Sequence, residues 1–150
     1  MRLRRIAGVV VFLALSISVC VAQRKYIVNP RADDRKNLPF SDAVLVGNTL
    51  FIAGTIGLDP KTGQAVPNTD AEAKAALDLF KGTIENAGFT MDDLVTVQVY
   101  CTDLKLYDSF NTIYKTYFHD NFPARAFLGV DKLLRGGHFE VTGIAVKKPN

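Results

Sequence analysis

Residues 69–101 read TDAEAKAALDLFKGTIENAGFTMDDLVTVQVYC, and this stretch decides the fold class. In its first half Ala73, Ala76, Leu77, Phe80, Ile84 and Ala87 recur at three-and-four spacing, which lines them along one face of a helix. Thr69 with Glu72 three residues on is a capping-box pattern, so the helix is expected to start there. Gly88 is the natural stop. From Leu94 to Cys101 the period drops to two, with apolar and polar residues alternating, which predicts a strand.

Working outward, Ala43–Gly47 and Thr49–Thr55 are β-rich runs joined at Gly47-Asn48, a hairpin-type turn. Asp59-Pro60-Lys61-Thr62-Gly63 is a second turn cluster. Residues 24–42 are polar, hold two prolines, and are expected to be an extended segment or an early edge strand. Downstream, Leu106, Phe110, Ile113, Tyr114 and Tyr117 predict a second amphipathic helix over Leu104–Phe118, ended by Pro123. Arg125–Val130 and His138–Val146 are the last two expected strands, separated by a loop with Gly136-Gly137. The order is ββαβαββ. Two helices cover only one face of such a sheet, so an α+β sandwich is expected. Its other face is expected to be apolar and uncovered, which argues for self-association.

The chain is 150 residues long, one domain's worth, and has globular composition with 48% apolar residues. Residues 1–22 hold Arg2, Arg4 and Arg5 and no acidic residue, so the net charge of +3 belongs to them and the remainder is balanced. A balanced body gives no electrostatic argument for nucleic acid or an anionic membrane. Met1–Arg5 is basic, Ile6–Leu15 is an unbroken apolar run, and Cys20 and Ala22 stand at the minus-three and minus-one positions before Gln23. That is the layout of a cleaved secretory signal peptide over 1–22, which implies a periplasmic or secreted domain over 23–150. An uncleaved anchor, in contact with membrane through this segment alone, and a lipid-modified Cys20 are the competing readings. Cleavage would leave Cys101 without a disulfide partner.

Familiar catalytic chemistry is sparse. His119 and His138 are the only histidines, and neither has a second ligand at metal-type spacing, so no metal is expected. His119 and Asp120 are adjacent and do not face each other on a helix. His138 reads as the start of a strand, Asp92-Asp93 as a solvated turn, and Cys101 as buried and inert. No serine sits in a nucleophile elbow, and the glycines match no phosphate-binding loop. Arg125 is the exception. It follows the proline-bounded turn Asn121–Ala124 at the mouth of a strand, and arginine is the preferred fork for a carboxylate. An ordinary salt bridge is the alternative reading.

Several elements, in this order, resemble the RidA/YjgF family, also called L-PSP endoribonuclease-like. They are Leu38-Pro39-Phe40-Ser41, Phe51-Ile52-Ala53-Gly54-Thr55-Ile56-Gly57-Leu58-Asp59-Pro60 and Glu85-Asn86-Ala87-Gly88. Asp103-Leu104, Phe122-Pro123-Ala124-Arg125 and Gly143-Ile144-Ala145-Val146 continue the series, over about residues 36–148. The resemblance implies a chorismate-mutase-like (YjgF-like) fold, a mixed β-sheet with two helices on one face. It implies a homotrimer with a ligand cleft at each subunit interface, and hydrolysis of enamine/imine intermediates such as 2-aminoacrylate to 2-keto acids and ammonia, with no cofactor. By the same resemblance Arg125 grips the substrate carboxylate and Gly54 lines the cleft.

Four positions depart from the family pattern. Phe40 stands for a pocket tyrosine, Ala53 for a serine, Phe127 for a cysteine and Thr142 for the glutamate of the last strand. Thr142 is no base near neutral pH, although its hydroxyl can orient water. Glu140 is expected on the same sheet face, roughly 6.6 Å along the strand, and is not assumed to substitute. Two functions compete: a 2-iminobutanoate/2-iminopropanoate deaminase weakened by these changes, with a more apolar pocket, and a non-catalytic trimer that binds a small carboxylate or a protein partner. A ribonuclease fits poorly with a balanced charge and no histidine pair.

Overall fold

The computed structural model describes residues 23–28 and 38–147. The expected signal segment, 1–22, lies outside the described residues. Six strands form one mixed sheet. They are β1 (Arg24–Ile27), β2 (Ala43–Val46), β3 (Thr49–Ile56), β4 (Leu94–Cys101), β5 (Ala124–Gly129) and β6 (Phe139–Val146). Across the sheet their order is β1-β2-β3-β6-β4-β5. Every pairing is antiparallel except β4 with β5, which is parallel. The segment ahead of the first expected hairpin thus contributes a true edge strand, and the order becomes βββαβαββ. The β2–β3 hairpin turns at Gly47-Asn48 as its sequence predicts, with Val46 opposite Thr49.

Helix α1 (Thr69–Asn86) and the shorter α2 (Tyr107–Tyr114) pack on the same face of the sheet. The apolar stripe read in the sequence is the buried face of α1: Ala73, Ala76, Leu77, Phe80 and Ile84 are all fully covered. Ala73, Leu77, Phe80 and Ile84 share one core with Val97, Val99 and Cys101 of β4 and Phe139 and Val141 of β6. Burying a side chain the size of Leu77, Phe80 or Ile84 contributes about 1.5–3 kcal/mol, so this interface is a main source of the sandwich's stability. Gly88 ends the helix at φ +82°, where any other L-residue would be strained.

Three local expectations are corrected. The α1 cap is Asn68, whose Oδ1 accepts a hydrogen bond from the Ala71 amide at 2.9 Å, not Thr69. Glu72 does not reach back to the cap because it has stronger partners. It is fully buried, and Oε1 accepts from the amides of His138 (2.6 Å) and Phe139 (3.0 Å), while Oε2 meets His138 Nδ1 at 2.7 Å. A capping box does form elsewhere. Asp93, expected to be merely solvated, accepts from the Thr90 amide at 2.8 Å and from its hydroxyl at 3.1 Å. The second helix is not continuous over Leu104–Phe118. Its α-helical part is Tyr107–Tyr114, flanked by tight turns over Leu104–Leu106 and Lys115–Tyr117. Tyr117 nevertheless ties that end to α1, donating from its hydroxyl to Asp78 at 2.6 Å.

The face without helices is less apolar than expected. A row of Tyr26, Val44, Phe51 and Ile144 crosses it in register. Beyond that row come the polar pairs Gln98–Thr142 and Tyr100–Glu140. Phe51 is 47% and Tyr26 63% exposed.

Candidate active site

Strand register sorts the candidate residues onto two faces. Arg125 of β5 is paired with Val97, and Phe127 with Val99. Paired residues share a face, and Val97 and Val99 point into the core under the helices. Arg125 and Phe127 therefore lie on the helix side, at the sheet edge. Thr142 pairs with Gln98 and lies on the open side.

On the helix side, α2 builds a holder for the guanidinium. Arg125 Nη2 donates to Asn111 Oδ1 at 2.6 Å. Its Cζ lies 4.6 Å from the centre of the Tyr114 ring, 5.8 Å from Tyr107 and 5.7 Å from Phe127. Tyr107 and Phe127 meet edge to face at 5.0 Å, so Phe127 serves as part of the aromatic wall. Aromatic faces attract the cation without consuming its N–H donors. One donor goes to Asn111, and the rest of the five-donor fork remains for an anion. Arg125 makes no salt bridge to any described residue. The Tyr114 hydroxyl is buried without a hydrogen-bond partner among the described residues, and burial pushes its pKa up to about 12 against the lowering effect of the Arg125 charge.

On the open side a cavity of about 410 Å³ is lined by Gly54, Tyr100, Val130, Lys132, Leu133, Glu140 and Thr142. A bulge in β3 shapes it: Ile52 faces Gly143 and Thr55 faces Val141, so Ala53 and Gly54 together oppose the single Thr142. Glu140 Oε1 lies where a Cβ on Gly54 would sit, so a larger residue there would have to displace the Glu140 side chain. The Thr142 hydroxyl donates to the Ile52 carbonyl at 2.5 Å. Ala53 is held beside this cavity by its amide, which donates to the Asp42 carbonyl at 2.9 Å, but does not line it. Phe40 is 53% exposed and reaches neither group.

The six candidates thus divide. Arg125 and Phe127 form one group, Gly54 and Thr142 the other with Ala53 adjoining, and Phe40 stands apart. Asn111, Tyr114, Tyr100 and Lys132 escaped sequence reasoning. Asn111 precedes Tyr114 by three residues, a spacing that shares a helix face, but nothing in the sequence pairs either with Arg125. Glu140 was visible as a same-face neighbour of Thr142, and its approach to Gly54 was not.

The model of the endoribonuclease L-PSP family matches residues 34–147. The chain belongs to that family. It is 41% identical over 112 residues to a Bos taurus protein named 2-iminobutanoate/2-iminopropanoate deaminase, covering 74% of this chain and 82% of the bovine one. A crystal structure of a Thermotoga maritima protein described as a putative endoribonuclease superposes with a TM-score of 0.76 at 36% identity, covering 83% of this chain and 99% of that one. E. coli TdcF with bound serine superposes with a TM-score of 0.75 at 26% identity, covering 83% and 100%. The α+β sandwich of this L-PSP chain is therefore the family's chorismate-mutase-like fold, as its motifs implied.

Proposed function

We propose that this protein hydrolyses 2-imino acids of the 2-iminopropanoate and 2-iminobutanoate type to 2-keto acids and ammonia, in a cleft formed between two copies of the chain. The observation that carries this reading is the 41% identity to a protein named for that reaction, joined to an Arg125 fork with donors to spare. A guanidinium of this kind binds a carboxylate by two parallel hydrogen bonds. The serine bound by the E. coli relative also carries a carboxylate.

The two-faced placement of the candidates supports a shared site. Side chains on opposite faces of one sheet cannot touch one ligand. Arg125 of one copy and the Gly54–Thr142 cavity of a neighbour can, because the first lies at a sheet edge and the second opens on the face without helices. A closed homotrimer supplies such contacts three times over.

A second reading, a trimer that binds small carboxylates without turning them over, is favoured by Thr142. Its hydroxyl proton is committed to the Ile52 carbonyl, and it is no base. Production of 2-aminoacrylate in place from serine by a dehydratase separates the two. Faster pyruvate release than in the protein-free mixture supports the deaminase. Pyruvate binding by calorimetry with no acceleration supports the binder.

A further inference from the structure

We propose that Glu140 is the catalytic base of this protein, taking a proton from the water that attacks the imine carbon; this rests on the deaminase reading above. Glu140 supplies the only carboxylate lining the open-side cavity. Its oxygen lies directly over the Gly54 backbone, at the bulge. It makes no hydrogen bond and no ion pair with any described residue, so its lone pairs are available to a water molecule. That is unlike Glu72, the buried carboxylate, whose oxygens are taken up by His138 and Phe139. Thr142, two residues along the same face, gives its proton to Ile52 and keeps lone pairs that can accept a hydrogen bond from the same water. Base and orienting group are then separate side chains on one strand.

The step balances with water as the only co-reactant. The water oxygen bonds to the imine carbon, one of its protons passes to Glu140, and the C=N π pair moves to nitrogen, which takes up a proton from solvent. The resulting carbinolamine receives the Glu140 proton on nitrogen. Its C–N bond then breaks, the hydroxyl loses its proton to solvent as C=O forms, and ammonia leaves with the 2-keto acid.

The test uses full-length trimer, 2-aminoacrylate generated in place, pyruvate release as the rate, and pyruvate affinity by calorimetry. Glu140→Gln is expected to lose about 10²–10⁴-fold in rate while binding pyruvate as wild type does. Adding Thr142→Glu to Glu140→Gln is expected to recover part of the loss, since it returns a carboxylate to the same cavity. A structural role for Glu140 would not be rescued this way. If Glu140→Gln does not fold, Glu140→Asp keeps the charge, draws it back by one methylene and is expected to slow the rate at least tenfold with affinity kept. Wild-type rates in Glu140→Gln or Glu140→Asp, or no recovery in the double variant, would overturn Glu140 as the base and leave the deaminase reading standing. A wild type no faster than the protein-free mixture would overturn that reading and the role of Glu140 together.

Discussion

At the scale of the residue, Arg125 has the most specific geometry. It is fixed by one hydrogen bond to Asn111 and by aromatic faces, with no carboxylate partner among the described residues. Arg125→Ala is expected to weaken pyruvate binding roughly ten- to a hundredfold, the value of a charge-assisted pair of about 1.5–3 kcal/mol. Asn111→Ala removes a positioning bond and leaves the charge, so a loss of about fivefold is expected in the same calorimetry. Tyr114 gives an independent check. Its hydroxyl has no partner among the described residues, so Tyr114→Phe is expected to cost nothing at neutral pH and to gain up to about 1 kcal/mol in urea unfolding. Its folded pKa, about 12, lies above the ordinary value of 10.0, so the unfolded chain loses this proton first as pH rises. The folded state is thus fully favoured below pH 10 and loses that advantage through pH 12. Tyr114→Phe is expected to flatten this alkaline loss, and an unchanged slope would show that the hydroxyl is not buried as described. The guanidinium could be picked out from its place after Pro123. Its partners could not, because they come from a helix that the chain folds back over β5.

Between elements, one carboxylate does the joining. Glu72 on the first turn of α1 accepts the amides that open β6, so helix and strand are locked at that point. Its sequence context pointed to a helix cap, a local role. Tertiary contact redirected it, because two strand amides at the sheet end need an acceptor in a place that water does not reach. Glu72→Ala leaves both amides unpaired, and each costs about 1–3 kcal/mol. Unfolding in urea is therefore expected to lose about 2–6 kcal/mol, whereas Glu72→Gln, which keeps an acceptor for both amides, is expected to lose clearly less. Equal losses in the two variants would mean that the charge, and not the acceptor, matters. The fold itself was largely legible at this scale. The period of 3.6 in α1 and the alternation in β4 were right because each element buries only one side. The second helix was drawn too long, since apolar spacing does not distinguish an α-helical turn from a tighter one at its ends.

For the whole molecule, the open sheet face is the decisive surface. Phe51 and Tyr26 lie on it exposed, and the Gly54–Thr142 cavity opens on the same face. We propose a trimer, and light scattering at micromolar concentration is expected to give three times the chain mass; a monomer would also remove the shared cleft. We further propose export, from the charge layout of residues 1–22. Mass spectrometry of the native protein is expected to find an N-terminus at or near Gln23, and an intact Met1 would refute removal.

The sequence alone determined the layer architecture, the two helices on one face, the family, and the two residues, Arg125 and Gly54, around which the site is argued. The layers follow from periodicity, the family from the order of short motifs, and Gly54 from the resemblance those motifs carry; periodicity and motifs are local properties of the chain. Only the tertiary structure decided that Arg125 and Thr142 face away from each other within one copy, that Asn111 and Tyr114 hold the guanidinium, and that Glu140 stands over Gly54. Those facts depend on strand register and on a bulge in β3. Register is set by how distant strands pair, and a shift of one residue would move every side chain to the other face.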